Sequence, residues 1–258
     1  MGVAKDTLRV AALGDLHCSK ASAGTLQPLF AQITEAADVL VLCGDLTDFG
    51  LPEEAHILAK ELTAAVKVPI VAVLGNHDFH SGKQEEVRTI LTEMGANVLS
   101  GDSCEIHGVG FAGVKGFAGG FGRRILAPWG EDAIKNFVRE SVDESLKLEF
   151  ALGNLRTAQT IAVLHYAPIQ ATVEGEPLEI YPFMGCSRLE EPLNRFQVAL
   201  ALHGHAHRGT LEGKTTSGVP VYNVSLPLLR RAFPDQPPVR IIEISTKPPA
   251  PEKAPRRH

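Results

Sequence analysis

Ile70-Val71-Ala72-Val73-Leu74-Gly75-Asn76-His77-Asp78 is an unbroken apolar run that stops at a glycine and passes straight into three polar side chains. Bounded by Pro69 and Gly75, the run predicts a strand buried on both faces, as in a sheet packed between helices. Open α/β folds build their sites at the carboxyl ends of such strands. The same order of residues occurs twice upstream. Residues 8–13 run into Gly14-Asp15-Leu16-His17, and residues 39–43 run into Gly44-Asp45. Three strands therefore deliver Asp, His or Asn to one rim.

Working outward, residues 26–37 and 55–66 carry apolar side chains at helical spacing, and Pro52 suits a helix start. Residues 85–94 predict a third helix, closed by Gly95. Alternating strands and helices of this kind predict parallel strands joined by right-handed crossovers. From Asn97 short β-like pieces alternate with glycines (97–99, 103–107, 109–114), which predicts antiparallel hairpins. A glycine-rich stretch over 116–130 precedes a helix expected over 132–152. Residues 160–164 form another apolar strand, ending at His165. After a polar loop over 167–187, a helix (189–196) and a strand (198–202) lead to His203-Gly204-His205-Ala206-His207. Residues 215–225 and 239–245 predict closing strands. One domain over residues 1–246 is expected, followed by a disordered tail over 247–258 carrying four prolines and mixed charge.

The totals exclude several classes. With 44% apolar and 21% charged residues the chain has an ordinary globular composition, and its net charge of −5 gives no general field for nucleic acid. The four cysteines (Cys18, Cys43, Cys104, Cys186) form no CxxC pair, which argues for a reducing compartment and against a thiolate zinc site. No apolar leader or membrane-length run is present, so a cytoplasmic protein without membrane contact is expected. Two formal motifs carry no weight. Gly108-Val-Gly110-Phe-Ala-Gly113 lies within a strand instead of opening a helix, and Gly209–Thr215 is one residue short of a phosphate loop and reads as a tight turn.

Six of the ten histidines (His17, His77, His165, His203, His205, His207) follow expected strand ends, as do Asp15, Asp45 and Asn76. One histidine alone would be structural, and an aspartate after a glycine turn is often a helix cap. Five strand ends that share the same residue types point instead to a site. Imidazole and carboxylate without thiolate suit divalent zinc, manganese, iron, cobalt or nickel. The i, i+2 spacing of Asp15 and His17, and of His205 and His207, can set each pair on one side of an extended segment.

Gly14-Asp15-x-His17, Gly44-Asp45-x-x-Asp48, Gly75-Asn76-His77-Asp78, His165 and Gly204-His205-x-His207 together resemble, in order, the motifs of the calcineurin-like metallophosphoesterase family. The resemblance implies a four-layer α-β-β-α sandwich of two mixed sheets flanked by helices. It implies two divalent metal ions, one held by Asp15, His17, Asp45 and His207 and the other by Asp45, Asn76, His165 and His205, with Asp45 shared. It further implies in-line attack of a metal-bridging hydroxide on phosphorus. His77, oriented by Asp78, would stabilise charge or protonate the leaving oxygen. The expected substrate is a small organic phosphate, either a phosphodiester of the cyclic-nucleotide type or a phosphomonoester. A nuclease of the same family and a silent protein-binding scaffold are the alternatives, and the intact motif set speaks against the second.

Other residues have narrower readings. Arg123 and Arg124 could reach a substrate phosphate or remain a solvated pair. Asp48 could orient a ligand imidazole or cap a turn, and His203 fits a supporting role beside the ligands. Cys18 fits a packed thiol. Glu176, Glu179, Ser187 and Arg188 lie in the loop after His165 and could touch substrate.

Overall fold

The chain is described by a computed structural model over residues 6–247, so the expected tail, beyond Lys247, lies outside the described residues. The first half holds β1 (Thr7–Leu13), α1 (Gln27–Ala36), β2 (Val39–Cys43), α2 (Pro52–Ala65), β3 (Ile70–Val73), α3 (Gln84–Glu93) and β4 (Asn97–Leu99). The second holds β5 (Asp102–Ile106), β6 (Val109–Gly113), α4 (Asp132–Asn154), β7 (Gln159–Val163), α5 (Tyr181–Met184), α6 (Glu190–Phe196), β8 (Leu200–His203), β9 (Glu212–Lys214), β10 (Pro220–Asn223), α7 (Leu226–Ala232) and β11 (Arg240–Ser245).

Two mixed sheets lie between helices. The first has the order β11-β1-β2-β3-β4, parallel except for β11, which returns antiparallel to β1. Its strands β2 and β3 are buried at every position, as unbroken apolar runs require. Helices α1, α2 and α3 turn Phe30, Ile33, Leu58, Leu62, Val87 and Leu91 inward to the core shared with this sheet. The second sheet has the order β5-β6-β7-β8-β10-β9, with a parallel centre and antiparallel edges.

The period of two along a strand decides what each face of the second sheet meets. Phe111, Ile161, Val163, Leu200 and Leu202 belong to the core shared with the first sheet. Their neighbours Ala112, Ala162, Leu164 and Ala201 join Leu148, Ala151, Leu152 and Leu193 of α4 and α6 in a second core. The three alanines on this face let those helices approach closely. The result is helix, sheet, sheet, helix. Among the described residues no helix is long and apolar enough to cross a membrane.

Differences from expectation begin at β4. The strand expected over 215–225 is a turn closed by Thr215 N–H to the Val219 carbonyl (2.9 Å), then β10, then the start of α7. The turn read at Gly209–Thr215 contains β9, which pairs antiparallel with β10. The strand expected from Val198 begins at Leu200, because Gln197 ends α6 in the left-handed region (φ 47°). Residues 97–99, expected in an antiparallel hairpin, form β4, which pairs parallel with β3 in the first sheet, and the hairpin is made by β5 and β6.

Candidate metal centre

Strands β1, β2, β3, β7 and β8 end at one edge of the sandwich and release their polar residues there. The two rims are tied by backbone. Gly14 N–H donates to the Val224 carbonyl (2.9 Å), and Leu226 N–H returns to the Gly14 carbonyl (3.0 Å). Of the six non-glycine residues at positive φ among the described residues, four are Asp15 (58°), His17 (44°), Asp45 (47°) and His205 (68°). Such conformations cost free energy and persist where their surroundings over-determine them, often at functional sites. The motif glycines make that packing possible. A Cβ at Gly44 would lie 2.5 Å from His165 Nδ1, one at Gly204 2.5 Å from Asp15 Oδ2, and one at Gly75 would strike Asp45.

Three groups of side chains each offer ligand atoms mutually within 4.8 Å: Asp15, His17 and His207; His17, Asp45 and His77; Asp45, His165 and His205. The groups share His17 and Asp45, so they form one continuous cluster. Asn76 joins it through Oδ1, 2.8 Å from His165 Nε2. We call Asp45, His165 and His205 the inner group and Asp15, His17 and His207 the outer group.

The donor chemistry of these residues fits cations. His165 Nδ1 lies 2.9 Å from the Cys43 carbonyl, which can only accept, so that nitrogen carries the proton. Its Nε2 is then a lone pair set against Asn76 Oδ1 and, at 3.3 Å, Asp45 Oδ1. Lone pairs converging in this way are stabilised by a cation between them. His17 supplies a second sign, since both its ring nitrogens are buried without a hydrogen-bond partner. Its Nδ1 stands 3.4 Å from Asp48 Oδ1. His205 Nε2 donates to the Phe183 carbonyl (3.2 Å), leaving Nδ1 as its free lone pair. His207 Nε2 meets Asp15 Oδ1 at 3.1 Å.

Burial and mutual fields shift several of these groups, and the Asp15 hydrogen bond raises His207. Burial would raise the Asp15 carboxyl, but the His207 hydrogen bond and the fields of His165, His207 and His205 reverse this and hold it at about 2. Burial, with the neighbouring His165, pushes His205 down to about 3, so it is a neutral donor at ordinary pH. His17 is also lowered by burial.

The ring of His77 packs edge-on against His17 with centroids 4.4 Å apart. Its Nδ1 donates to the Asp48 carbonyl (2.7 Å), so Nε2 is the nitrogen free to face a substrate. Asp78 does not orient it, contrary to the reading from sequence. The Asp78 carboxylate is fully buried and accepts from Leu46 N–H (3.1 Å), Thr47 N–H (2.8 Å), the Thr47 hydroxyl (2.6 Å) and Gly75 N–H (2.7 Å). It ties the Asp45 loop to the Asn76 loop. Burial and the Asp45 charge push it up to about 6 despite those four donors.

Arg123 and Arg124 are exposed on a 3-10 turn (Gly122–Arg124) and make no hydrogen bond or ion pair with the cluster among the described residues. Arg188 and Ser187 are structural: Arg188 Nη2 donates to the Leu126 carbonyl (3.0 Å), and Ser187 Oγ accepts from Gly122 N–H (2.9 Å). Glu176 accepts from Arg208 N–H (2.6 Å), and Glu179 is exposed. His203 is fully buried, donating from Nδ1 to the Gly204 carbonyl (2.7 Å) with Nε2 2.8 Å from Thr172 Oγ1, and burial pushes it down to about 4. Cys18 is a packed thiol, raised to about 11 by burial. Asn223 was not singled out from sequence, yet its Nδ2 donates to the Ala206 carbonyl (2.8 Å) and holds the His205–His207 turn. Its only sequence signal is a polar residue at a strand end.

The chain is similar over residues 8–209 to the family model described as calcineurin-like phosphoesterase. It is 24% identical over 239 residues to the UDP-2,3-diacylglucosamine hydrolase of Enterobacter sp. (strain 638), covering 83% of this chain and 88% of that protein. Its fold is similar to the crystal structure of phosphopantetheinyl hydrolase (PptH) from Mycobacterium tuberculosis, with TM-score 0.65, 15% identity, and coverage of 95% of this chain and 98% of that one. It is also similar to the crystal structure of TT1561 of Thermus thermophilus, with TM-score 0.54, 15% identity, and coverage of 93% and 100%. With that family model spanning all five motif blocks, the chain belongs to the calcineurin-like phosphoesterase family and is a metal-dependent phosphoric ester hydrolase.

Proposed function

We propose that the protein hydrolyses a small organic phosphate, a phosphodiester or phosphomonoester, at a pair of divalent cations held by Asp15, His17, Asp45, Asn76, His165, His205 and His207. The observation that carries this reading is the position of Asp45, whose carboxylate belongs at once to the His17–His77 group and to the His165–His205 group. A carboxylate with two oxygens serving two sets of imidazoles suits a shared ligand. Bound there, the cations supply a water of lowered pKa and positive charge for the phosphoryl oxygens. The chain's own residues do the rest. Cys43 and Phe183 carbonyls fix the tautomers of His165 and His205, and Asp48 fixes the ring of His77. His77 Nε2 would then stabilise charge on the phosphoryl group or hand a proton to the departing oxygen.

The name of the Enterobacter relative is that of a hydrolase of a UDP-linked diacylglucosamine, which supports a small phosphate-bearing conjugate over a nucleic acid. The net charge of −5 supports it too. The test is a screen of purified protein, reconstituted in turn with manganese, iron, zinc, cobalt and nickel, against cyclic nucleotides, aryl mono- and diesters, phospholipids and DNA. Turnover of a small ester and none of DNA is expected. Cleavage of DNA alone would favour a nuclease, and stoichiometric metal with no turnover of any ester would overturn the reading.

A further inference from the structure

Aromatic residues are scarce in this chain, with eleven Phe, three Tyr and one Trp. Of the largest fully buried side chains only Phe30 and Phe111 are aromatic. Five others gather beside the metal cluster, on the edge of the second core: Tyr166 is buried in it and Phe117 and Phe137 pack against it. Tyr166 follows His165, and its ring lies 4.5 Å from the His205 ring between centroids. From it the rings continue to Phe117 (5.8 Å), Phe137 (5.0 Å further) and Phe183 (6.2 Å further). Phe183 closes the circuit, because its carbonyl accepts the His205 Nε2–H. Phe79 belongs to the same 3-10 turn as His77 (His77–Phe79) and enters through Lys115.

Lys115 stands among these rings, its Nζ 5.3 Å from the Phe79 centroid, 4.7 Å from Phe117 and 5.4 Å from Tyr166. All three distances are within cation–π range. The ammonium donates to the Gly116 carbonyl (2.9 Å) and is 3.8 Å from Glu140 Oε1. It therefore braces ring faces from both sheets' rims. The two end rings remain open, Phe79 at 39% and Phe183 at 57% exposure. Water-exposed rings beside a polar cluster gain from covering by an apolar partner.

We propose that Phe79, Phe117, Phe137, Tyr166 and Phe183, braced by Lys115, form a subsite that selects phosphoesters with an apolar alcohol portion. The proposal deepens the phosphoesterase reading and rests on it for the placement of the phosphate. Continuity decides the occupant, since the rings begin at His77 and His205 and lead away from them. A group joined to a phosphate held at the cluster is thereby laid along the rings. An aryl ring and an alkyl chain share the required chemistry.

The test compares the double variant Phe79→Ala/Phe183→Ala with wild type in the metal-reconstituted full chain. Both rings are partly exposed, so the core survives their truncation. The readouts are kcat and KM for 1-naphthyl phosphate, hexyl phosphate and glycerol phosphate, together with calorimetric binding of naphthylmethyl phosphonate. Each ester's intrinsic reactivity cancels when one variant is compared with another. The kcat/KM ratio of naphthyl or hexyl ester to glycerol ester should fall about tenfold or more, chiefly through KM. Phosphonate binding should weaken in parallel, and Phe150→Ala, 68% exposed on α4 well away from the rings, should change neither. A fall confined to the naphthyl ester identifies a flat group, and one confined to the hexyl ester a chain. An unchanged ratio and Kd, or an equal loss in Phe150→Ala, would overturn the subsite while leaving phosphoesterase activity standing. Ring-dependent phosphonate binding without turnover of these monoesters or of any diester in the wider screen would do the reverse.

Discussion

The inner and outer groups are built from the same residue types and held differently. In the inner group His165 has no exposed side-chain surface and Asp45 has 2%, and backbone carbonyls fix the two rings. In the outer group His17 is 22% exposed and His207 39%, and no hydrogen bond orients the His17 ring. A ligand set locked by its own fold loses little freedom on binding an ion, whereas a looser one must be ordered by it. The comparison implies two unequal affinities, with the inner group filling first.

The harshest way to break that inequality is Asp45→Asn, because this carboxylate belongs to the inner group and also shares a ligand set with His17 of the outer group. Metal analysis should then show loss at both sites and activity at background. Retention of one full equivalent of metal would mean that Asp45 is not shared. Next in size is His77→Ala, which should lower kcat by about 10²–10⁴ with metal content unchanged. Loss of metal in that variant would move His77 among the ligands.

Much of this arrangement is legible in the residues. β2 and β3 are buried at every position and β1 from Val10 to Leu13, so each runs apolar up to an end that stands out. The residues collected in the cluster carry the same signal, since each follows a strand end. What is not legible depends on long-range partners. Asp78 is adjacent to His77 in sequence, yet its four donors come from loops up to 32 residues away, and its side chain turns from the ring toward them. The α7 helix hides in seven residues, marked only by Pro227 near its start and the buried Leu226, Leu228 and Leu229. The ring circuit joins residues from five separate segments, and periodicity within one segment cannot show it.

A milder perturbation addresses the outer group alone. Asp48→Ala keeps the carbonyl that holds His77 and removes the carboxylate 3.4 Å from His17 Nδ1. Supporting groups of this kind are worth about 10–100-fold in metal affinity. A calorimetric metal titration should show that loss in the weaker step and none in the tighter one. Equal weakening of both steps would remove the distinction between the groups.

The smallest effect on turnover is expected from Asp78→Asn, and it separates two meanings of proximity. An amide oxygen can still accept from some of the four donors, but its NH₂ must face the others, leaving buried groups unpaired. Each such group costs about 1–3 kcal/mol, and at this chain length about 2–4 °C of Tm accompanies each kcal/mol. Because the carboxylate bonds Leu46, Thr47 and Gly75 and not the His77 ring, the loss should appear in thermal unfolding. At temperatures where the variant remains folded, kcat should stay within about tenfold of wild type, well short of the His77→Ala effect. The opposite pattern, an unchanged Tm with kcat reduced as far as in His77→Ala, would return Asp78 to the chemistry that its place beside His77 suggests. The four donors would then be preparing a reactive carboxyl, where the geometry here has them joining two loops.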